Sequence, residues 1–282
     1  MKTIQITPSI SQLRRQLTPW REEGANIALV PTMGALHEGH ISLVRQANTV
    51  AQRVVVSIFV NPTQFAPHED FAAYPRTFKA DCDKLAGTGV VDLVFAPPPE
   101  EMYPPGFATS LTVGGPALGL ESDFRPHFFG GVATVVAKLL LAVMPDIAIF
   151  GEKDFQQLLV VRQMATDLGL PTDIIGAAIV REPNGLALSS RNVYLTPGER
   201  LVAVQLNRIL ADSCKQIRAG APIVEIETRS AVTLREAGFD IVDYVAVRDA
   251  GTLAPIEQLS KPARILAAAK IGRTRLIDNM PV

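Results

Sequence analysis

Residues 29–40 read LVPTMGALHEGH. The stretch is the end of an apolar strand that begins at Ile27, a turn containing Gly34, and then His37-Glu38-Gly39-His40 opening a helix. A helix start carries unpaired N–H groups and partial positive charge, so a strand–turn–helix junction suits an anion such as a triphosphate. Two imidazoles flanking that start add donors for phosphoryl oxygens on which charge builds during in-line displacement. Gly34 and Gly39 would let the backbone approach a nucleotide closely. An H-x-x-H spacing also occurs in metal sites, but zinc needs at least a third ligand, and no Cys or further His lies nearby at metal-site spacing. Phosphate recognition, with no protein metal site, is the expectation.

Working outward, short β-branched runs recur at 54–60, 91–96, 147–150 and 174–180, each bounded by turn formers. Between them lie helix-period segments, such as Ile41, Val44, Ala47 and Ala51, and the apolar stretch from Val132 to Val143. Strands alternating with helices predict an α/β fold, a Rossmann-like doubly wound parallel sheet whose ligands bind beyond the strands' C-terminal ends where strand order reverses. Asn184-Gly185 is a tight-turn signal and marks the junction of two lobes, 1–182 and a smaller α+β lobe over 183–282. Thr196-Pro197-Gly198-Glu199 predicts a capping box opening a helix to about Arg218. A second helix from Ile223 to about Ala237 and two strands, Tyr244 to Val247 and Arg264 to Ala268, complete that lobe.

Three further segments follow strands. In Phe59-Val60-Asn61-Pro62-Thr63-Gln64-Phe65 the amides of Asn61 and Gln64 suit the hydroxyl and carboxylate oxygens of a small polar substrate, although Asn-Pro alone is simply a good turn. In Gly151-Glu152-Lys153-Asp154-Phe155-Gln156-Gln157, Lys153 is a mobile cation for phosphates, and Asp154 with Gln157 also reads as a capping box. In LALSSRNV, residues 186–193, Ser189, Ser190 and Arg191 supply donors at the lobe junction, where a tripeptide of this kind also serves as an ordinary polar loop. Asp81 and Asp83 read as the solvated face of a helix, with an outer-shell role towards magnesium as the alternative.

VPTMGALHEGH resembles the signature of the pantothenate synthetase family within the H-x-G-H nucleotidyltransferases, and FVNPTQF, GEKD and LSSRN match the same family in the same order. The resemblance spans nearly the whole chain, to Leu276-Ile277-Asp278-Asn279. It implies an ATP-dependent ligase that condenses pantoate with β-alanine through a pantoyl adenylate. It further implies an ATP site made by Met33, Gly34, Ala35, Leu36, His37, Glu38, Gly39, His40, Gly151, Glu152, Lys153, Asp154, Leu188, Ser189, Ser190 and Arg191, with a backbone contact at Val180. His40, His37 and Lys153 would be the catalytic residues, and Gln64, Gln157 and Asn61 would bind substrate. Arg125-Pro126-His127-Phe128-Phe129-Gly130-Gly131 departs from the family pattern: the His comes one position early, with Phe128 in its place, and His127 receives no catalytic role. His68 reads as a solvated loop residue beside Glu69 and Asp70.

Composition agrees with small-molecule chemistry. The 282 residues carry a net charge of −1, with 27 basic and 28 acidic side chains interleaved, which leaves no standing field for nucleic acid or an anionic membrane. The N-terminal residues lack the plan of a signal peptide and no apolar run nears bilayer length, so a cytoplasmic protein is expected. Cys82 and Cys214 lack C-x-x-C spacing and read as reduced packing residues. Mg²⁺ is expected to accompany ATP on phosphate oxygens and water, and a homodimer is expected from the family and from the prevalence of symmetric dimers. Two rivals stand beside the ligase: a nucleotidyltransferase of the same superfamily that releases an adenylylated product, and a nucleotide-binding module without turnover.

Overall fold

Ile27, Ala28, Leu29 and Val30 are each at most 1% exposed, which a strand achieves only when both faces of its sheet are covered. In the computed structural model, which describes residues 4–66, 69 and 71–282, that strand lies inside a parallel sheet. The elements run β1 (Gln5–Thr7), α1 (Ile10–Glu22), β2 (Ile27–Thr32), α2 (Glu38–Val50), β3 (Arg53–Ile58), α3 (Phe78–Thr88), β4 (Leu93–Phe95), α4 (Pro99–Met102) and α5 (Glu121–Phe124). There follow α6 (Phe128–Val143), β5 (Ile147–Gly151), α7 (Phe155–Asp167), β6 (Asp173–Ala177), α8 (Pro197–Arg218), α9 (Ile223–Glu236), β7 (Ile241–Asp249), β8 (Ala263–Ile271) and β9 (Thr274–Pro281).

Among the described residues the parallel sheet has the order β1-β4-β3-β2-β5-β6. The strand period of two explains the layers. Ile27 and Leu29 face α1, α6 and α7, whereas Ala28 and Val30 face Ile41, Val44 and Ala47 of α2 and Leu85 of α3. The chain winds outward from β2 to β4 and returns to β5, so strand order reverses between β2 and β5. The carboxyl ends of those two strands carry the His37–His40 and Gly151–Asp154 segments, which is where a doubly wound sheet binds ligands. The expected fold is borne out.

Details differ from the sequence reading. The strand expected to reach Val60 stops at Ile58, because Asn61 caps a 3₁₀ turn over Pro62–Gln64. The strand expected to reach Val180 leaves the ladder after Ala177, and Arg181 bridges Ala187 instead. Thr196 and Glu199 form their capping box and the helix runs to Arg218 as read, but Asp154 makes no side-chain cap for α7. β1 and α1 were not read from sequence, nor was β9, which completes an antiparallel β7-β8-β9 sheet under α8 and α9. Strand β9 hides its pattern by burying Asp278 and Asn279, which are polar residues with partners. The His68 reading lies outside the described residues.

The antiparallel sheet meets the rest of the protein through a buried carboxylate. Glu121, at the start of α5, is 6% exposed and accepts two bonds of 2.8 Å from Arg275 on β9 and one of 2.9 Å from the Tyr244 hydroxyl on β7. Burial pushes the Glu121 carboxyl up, but the Arg275 charge and hydrogen bonds outweigh it and hold the group below the usual glutamate range. Removing one partner of a buried ion pair leaves an uncompensated charge. Arg275→Met should therefore lower unfolding free energy by about 3 kcal/mol in urea titrations; a loss below about 0.5 kcal/mol would show that the pair does not hold the sheets together.

Candidate active site

The first helix of the crevice is closed by its own histidines. His37 is the N-cap of α2, and its Nδ1 accepts the Gly39 N–H at 3.1 Å. His40 completes the exchange: its Nδ1 accepts the His37 N–H at 3.3 Å. The sequence reading assigned anion binding to free backbone N–H groups here; the structure shows these two already engaged. With both Nδ1 atoms accepting, each neutral ring carries its proton on Nε2, the edge not used by the backbone. The helix end is thus converted into two side-chain donors, with ring centroids 4.1 Å apart. Gly39 has a different reason from the expected one, because a Cβ there would lie 2.8 Å from the His37 ring.

Both rings are held neutral. Burial, followed by the charges of Lys153 and Lys84, lowers the His37 pKa to about 4 against the opposing pull of Asp154. Burial, followed by His37, Lys153 and Lys84, lowers the His40 pKa to about 3.

The rings open onto a cavity of about 760 Å³ whose wall also contains Met33, Asn61, Gln64, Gly151, Lys153, Asp154, Gln157, Val180 and Leu188 to Asn192. Most of the expected site residues are thereby brought together. Lys153 Nζ lies 3.9 Å from the Asp154 carboxylate, a loose pairing that leaves the ammonium able to turn towards an anion. Ser189 caps the 3₁₀ turn Ser190–Tyr194, and Arg200 braces that turn by donating to the Asn192 carbonyl at 3.3 Å while pairing with Glu182 at 2.7 and 2.8 Å. Gln64 receives a bond from Asn61 at 3.1 Å and rests its amide nitrogen against the Met33 sulfur. Phe59, Val135, Val136, Leu139 and Phe150 give the same cavity an apolar stretch of wall.

Other expected residues are engaged elsewhere. Asn61 is 1% exposed and spends its amide on Gln64 and the Gly131 carbonyl, while its oxygen accepts from Thr63 and from the Tyr103 hydroxyl at 2.7 Å. It braces Gln64 while its surface forms part of the cavity wall. Leu36 is core, Glu38 pairs with Arg45 on the surface, and Glu152 pairs with Arg264 at 2.8 Å. Gly34 and Ala35 form the turn beneath the histidines, outside the cavity wall. The Val180 carbonyl accepts the Leu188 N–H at 3.0 Å, so only the remaining Val180 surface faces the cavity. In the departing segment, the Arg125 guanidinium stacks 3.8 Å from the Phe128 ring centroid and forks onto Glu69 at 2.6 and 2.7 Å, while exposed His127 starts α6.

Two contributors escaped the sequence reading. Asn279, on β9, donates at 2.9 Å to the carbonyls of both Glu152 and Lys153, fixing the lysine turn from the antiparallel sheet. Asp81, read as a solvated acid, is 1% exposed and accepts the N–H groups of Ala35 at 3.0 Å and Leu36 at 2.8 Å. Asp83 does sit on the surface, paired with Lys79. The one sequence signal for Asp81 was its place in the first turn of a helix whose start makes no side-chain cap bond.

A neutral donor pair at the switch point of a doubly wound sheet, beside a lysine and a Ser-Ser-Arg turn, places the molecule among Rossmann-like enzymes that act on a nucleotide triphosphate. A family model described as pantoate–β-alanine ligase matches residues 5–281, and the chain belongs to that family. It is 58% identical over 283 residues to a pantothenate synthetase from Bradyrhizobium sp. strain BTAi1, covering 100% of this chain and 99% of that one. A crystal structure of pantothenate synthetase from Thermus thermophilus superposes with a TM-score of 0.92 at 45% identity, covering 98% and 99% of the two chains. A pantoate–β-alanine ligase from Francisella tularensis, crystallised in complex with β-γ ATP and β-alanine, gives 0.83 at 34% identity over 98% and 97%. The resemblance drawn from the four sequence strings is borne out.

The histidine environment has a measurable consequence. In ¹³C-histidine NMR titrations of the free protein, the His37 and His40 signals should show midpoints near 4 and 3, and midpoints at 6 to 7 would contradict the neutral pair. Both folded values lie below the ordinary 6.5, so on acidification the unfolded chain binds protons first. The contribution of the pair to stability is complete above pH 6.5 and is lost as pH falls through about 4 for His37 and about 3 for His40.

Proposed function

We propose that the cavity joins pantoate to β-alanine in two steps. A pantoate carboxylate oxygen attacks the α-phosphorus of ATP, the bond to the β-phosphate bridge breaks, and pyrophosphate leaves. The amine of β-alanine then attacks the acyl carbon of the pantoyl adenylate, loses a proton, and expels AMP, giving pantothenate. The observation that carries this reading is the reciprocally capped histidine pair, which leaves uncharged Nε2–H donors on two rings lining a cavity that also holds Lys153 and the Ser189–Arg191 turn.

His37, His40 and Lys153 act on the phosphates, with Met33, Gly39, Gly151, Asp154, Val180 and Leu188 to Arg191 completing the ATP site. Gln64 and Gln157 take the pantoate oxygens, and the apolar wall from Phe59 to Phe150 accepts its branched dimethyl centre. No side-chain nucleophile is required, because a carboxylate and a mixed anhydride react once they are held in line. Mg²⁺ accompanying ATP would neutralise phosphate charge, held mostly by phosphate oxygens and water as is usual for this ion.

The reading extends to the whole assembly. Residues 1–182 form the ATP- and pantoate-binding lobe and 183–282 a lid, supported by the separate apolar core of the second lobe. The enzyme works in the cytoplasm as a homodimer; no described helix is long and apolar enough to cross a membrane, and two-fold self-association is the commonest closed assembly.

The test is pantoate-dependent exchange of labelled pyrophosphate into ATP, with AMP release dependent on β-alanine. A stable adenylylated product that accumulates with β-alanine present would favour the nucleotidyltransferase rival. His40→Ala should reduce exchange by about 100-fold, the usual cost of one donor to a developing charge; unchanged exchange would remove the histidine pair from the mechanism.

A further inference from the structure

The turn that delivers His37 into the crevice is strained. Gly34 has φ 81° and Ala35 φ 49°, two successive residues in the left-handed region, and the second carries a side chain. Such a conformation persists only where surrounding contacts over-determine it. Thr32 Oγ1 at the end of β2 accepts the Gly34 N–H at 3.3 Å, and the contacts to the next two residues come from one helix. Asp81 on α3 accepts the Ala35 and Leu36 N–H groups on its two carboxylate oxygens, and Thr77 Oγ1 donates to it at 3.0 Å. Lys84, one turn further along the same face, donates its ammonium to the Leu36 carbonyl at 2.5 Å. Gly34 fits the same arrangement, since a Cβ there would lie 3.2 Å from the Asp81 carboxylate as well as in the left-handed region.

The gripped residues lead directly into His37, the N-cap whose ring accepts the Gly39 N–H and whose own N–H fixes His40. We propose that Asp81 and Lys84 are positioning residues for adenylate formation: α3 holds the 34–36 turn by two N–H groups and one carbonyl, and through that turn sets where the two imidazoles point. Neither side chain lines the cavity, so both act through the histidines. The Lys84 charge also helps keep both rings neutral, an effect in the same direction.

The inference rests on the proposed two-step reaction, whose halves separate the possibilities. Only the first half involves a triphosphate. Asp81→Asn keeps the side chain's size and turns a donor towards a backbone N–H. It should slow pantoate-dependent pyrophosphate exchange about tenfold or more, mainly in kcat, because small displacements of reacting groups are costly. Aminolysis of supplied pantoyl adenylate by β-alanine should stay within about twofold of wild type. Introduced into His40→Ala, the same substitution should add less to the loss than it causes alone, since the two changes act on one unit. Lys84→Met, on the surface side of the clamp, should impair the same half-reaction by about threefold, and it decides the matter if Asp81→Asn does not fold. Equal losses in both half-reactions, or exchange unimpaired in both variants, would overturn the proposal. A wild-type enzyme inactive in both assays would instead count against the two-step reaction itself.

Discussion

The reciprocal cap between His37 and His40 is the constraint around which the site is built. An α-helix leaves its first N–H groups without partners, and the usual solution is a Ser, Thr, Asp or Asn side chain that does nothing else. Here imidazoles do the capping with one nitrogen and retain a donor on the other. The ring proton is thereby assigned by the backbone rather than left to chance, and the donor direction becomes a property of the helix. That arrangement requires a glycine under the first ring, burial sufficient to keep both rings uncharged, and a rigid approach to the N-cap.

Each requirement recruits a different part of the chain. The approach is held by Asp81 and Lys84 from α3, some 45 and 48 positions away in sequence from the groups they bind. The charge opposite the rings, Lys153, is set on β5's carboxyl end and held there by Asn279, 126 positions further on. Arg264 stacks 3.9 Å from the Phe155 ring centroid while pairing with Glu152, so the antiparallel sheet stiffens the lysine turn from two sides. The residues beyond 182 therefore brace the parallel sheet's lysine turn as well as supplying the Ser189–Arg191 turn.

What was legible in the sequence and what was not divides along this line. Residues that sit at strand ends and face the ligand carry local signals: a glycine turn before His37, an Asn-Pro turn before Gln64, the Gly-Glu-Lys-Asp run after Phe150. Periodicity placed the strands because both faces of β2 and β3 are apolar. Strand β9 was missed because part of its burial is polar, whereas α1 was missed although it buries Leu13 and Leu17. Strand β9 packs Asp278 against Arg181 at 2.6 Å and Asn279 against Arg264, so its buried positions do not read as apolar. Asp81 looks like any surface acid of a helix until the 34–36 turn is folded against it. Asn61 differs from its sequence reading in another way: its amide suits a substrate, but in the fold it also bonds Gln64, the Gly131 carbonyl, Thr63 and Tyr103.

The neutrality of the two rings bears on how the site divides its labour. Imidazolium ions would bind the resting triphosphate strongly, and that attraction would be present before reaction as much as during it, lowering KM without lowering the barrier. Uncharged N–H donors gain most as negative charge accumulates on the departing phosphates, which is the differential interaction that speeds the chemical step. Under the proposed reaction, net charge for capture would fall to Lys153 and Arg191, on long stems in the cavity wall, while the imidazoles, anchored through Nδ1, would need no reorganisation when the charge appears. The same lysine charge that would attract ATP helps keep the rings neutral, so in the proposed reaction one local field divides capture and catalysis between different side chains.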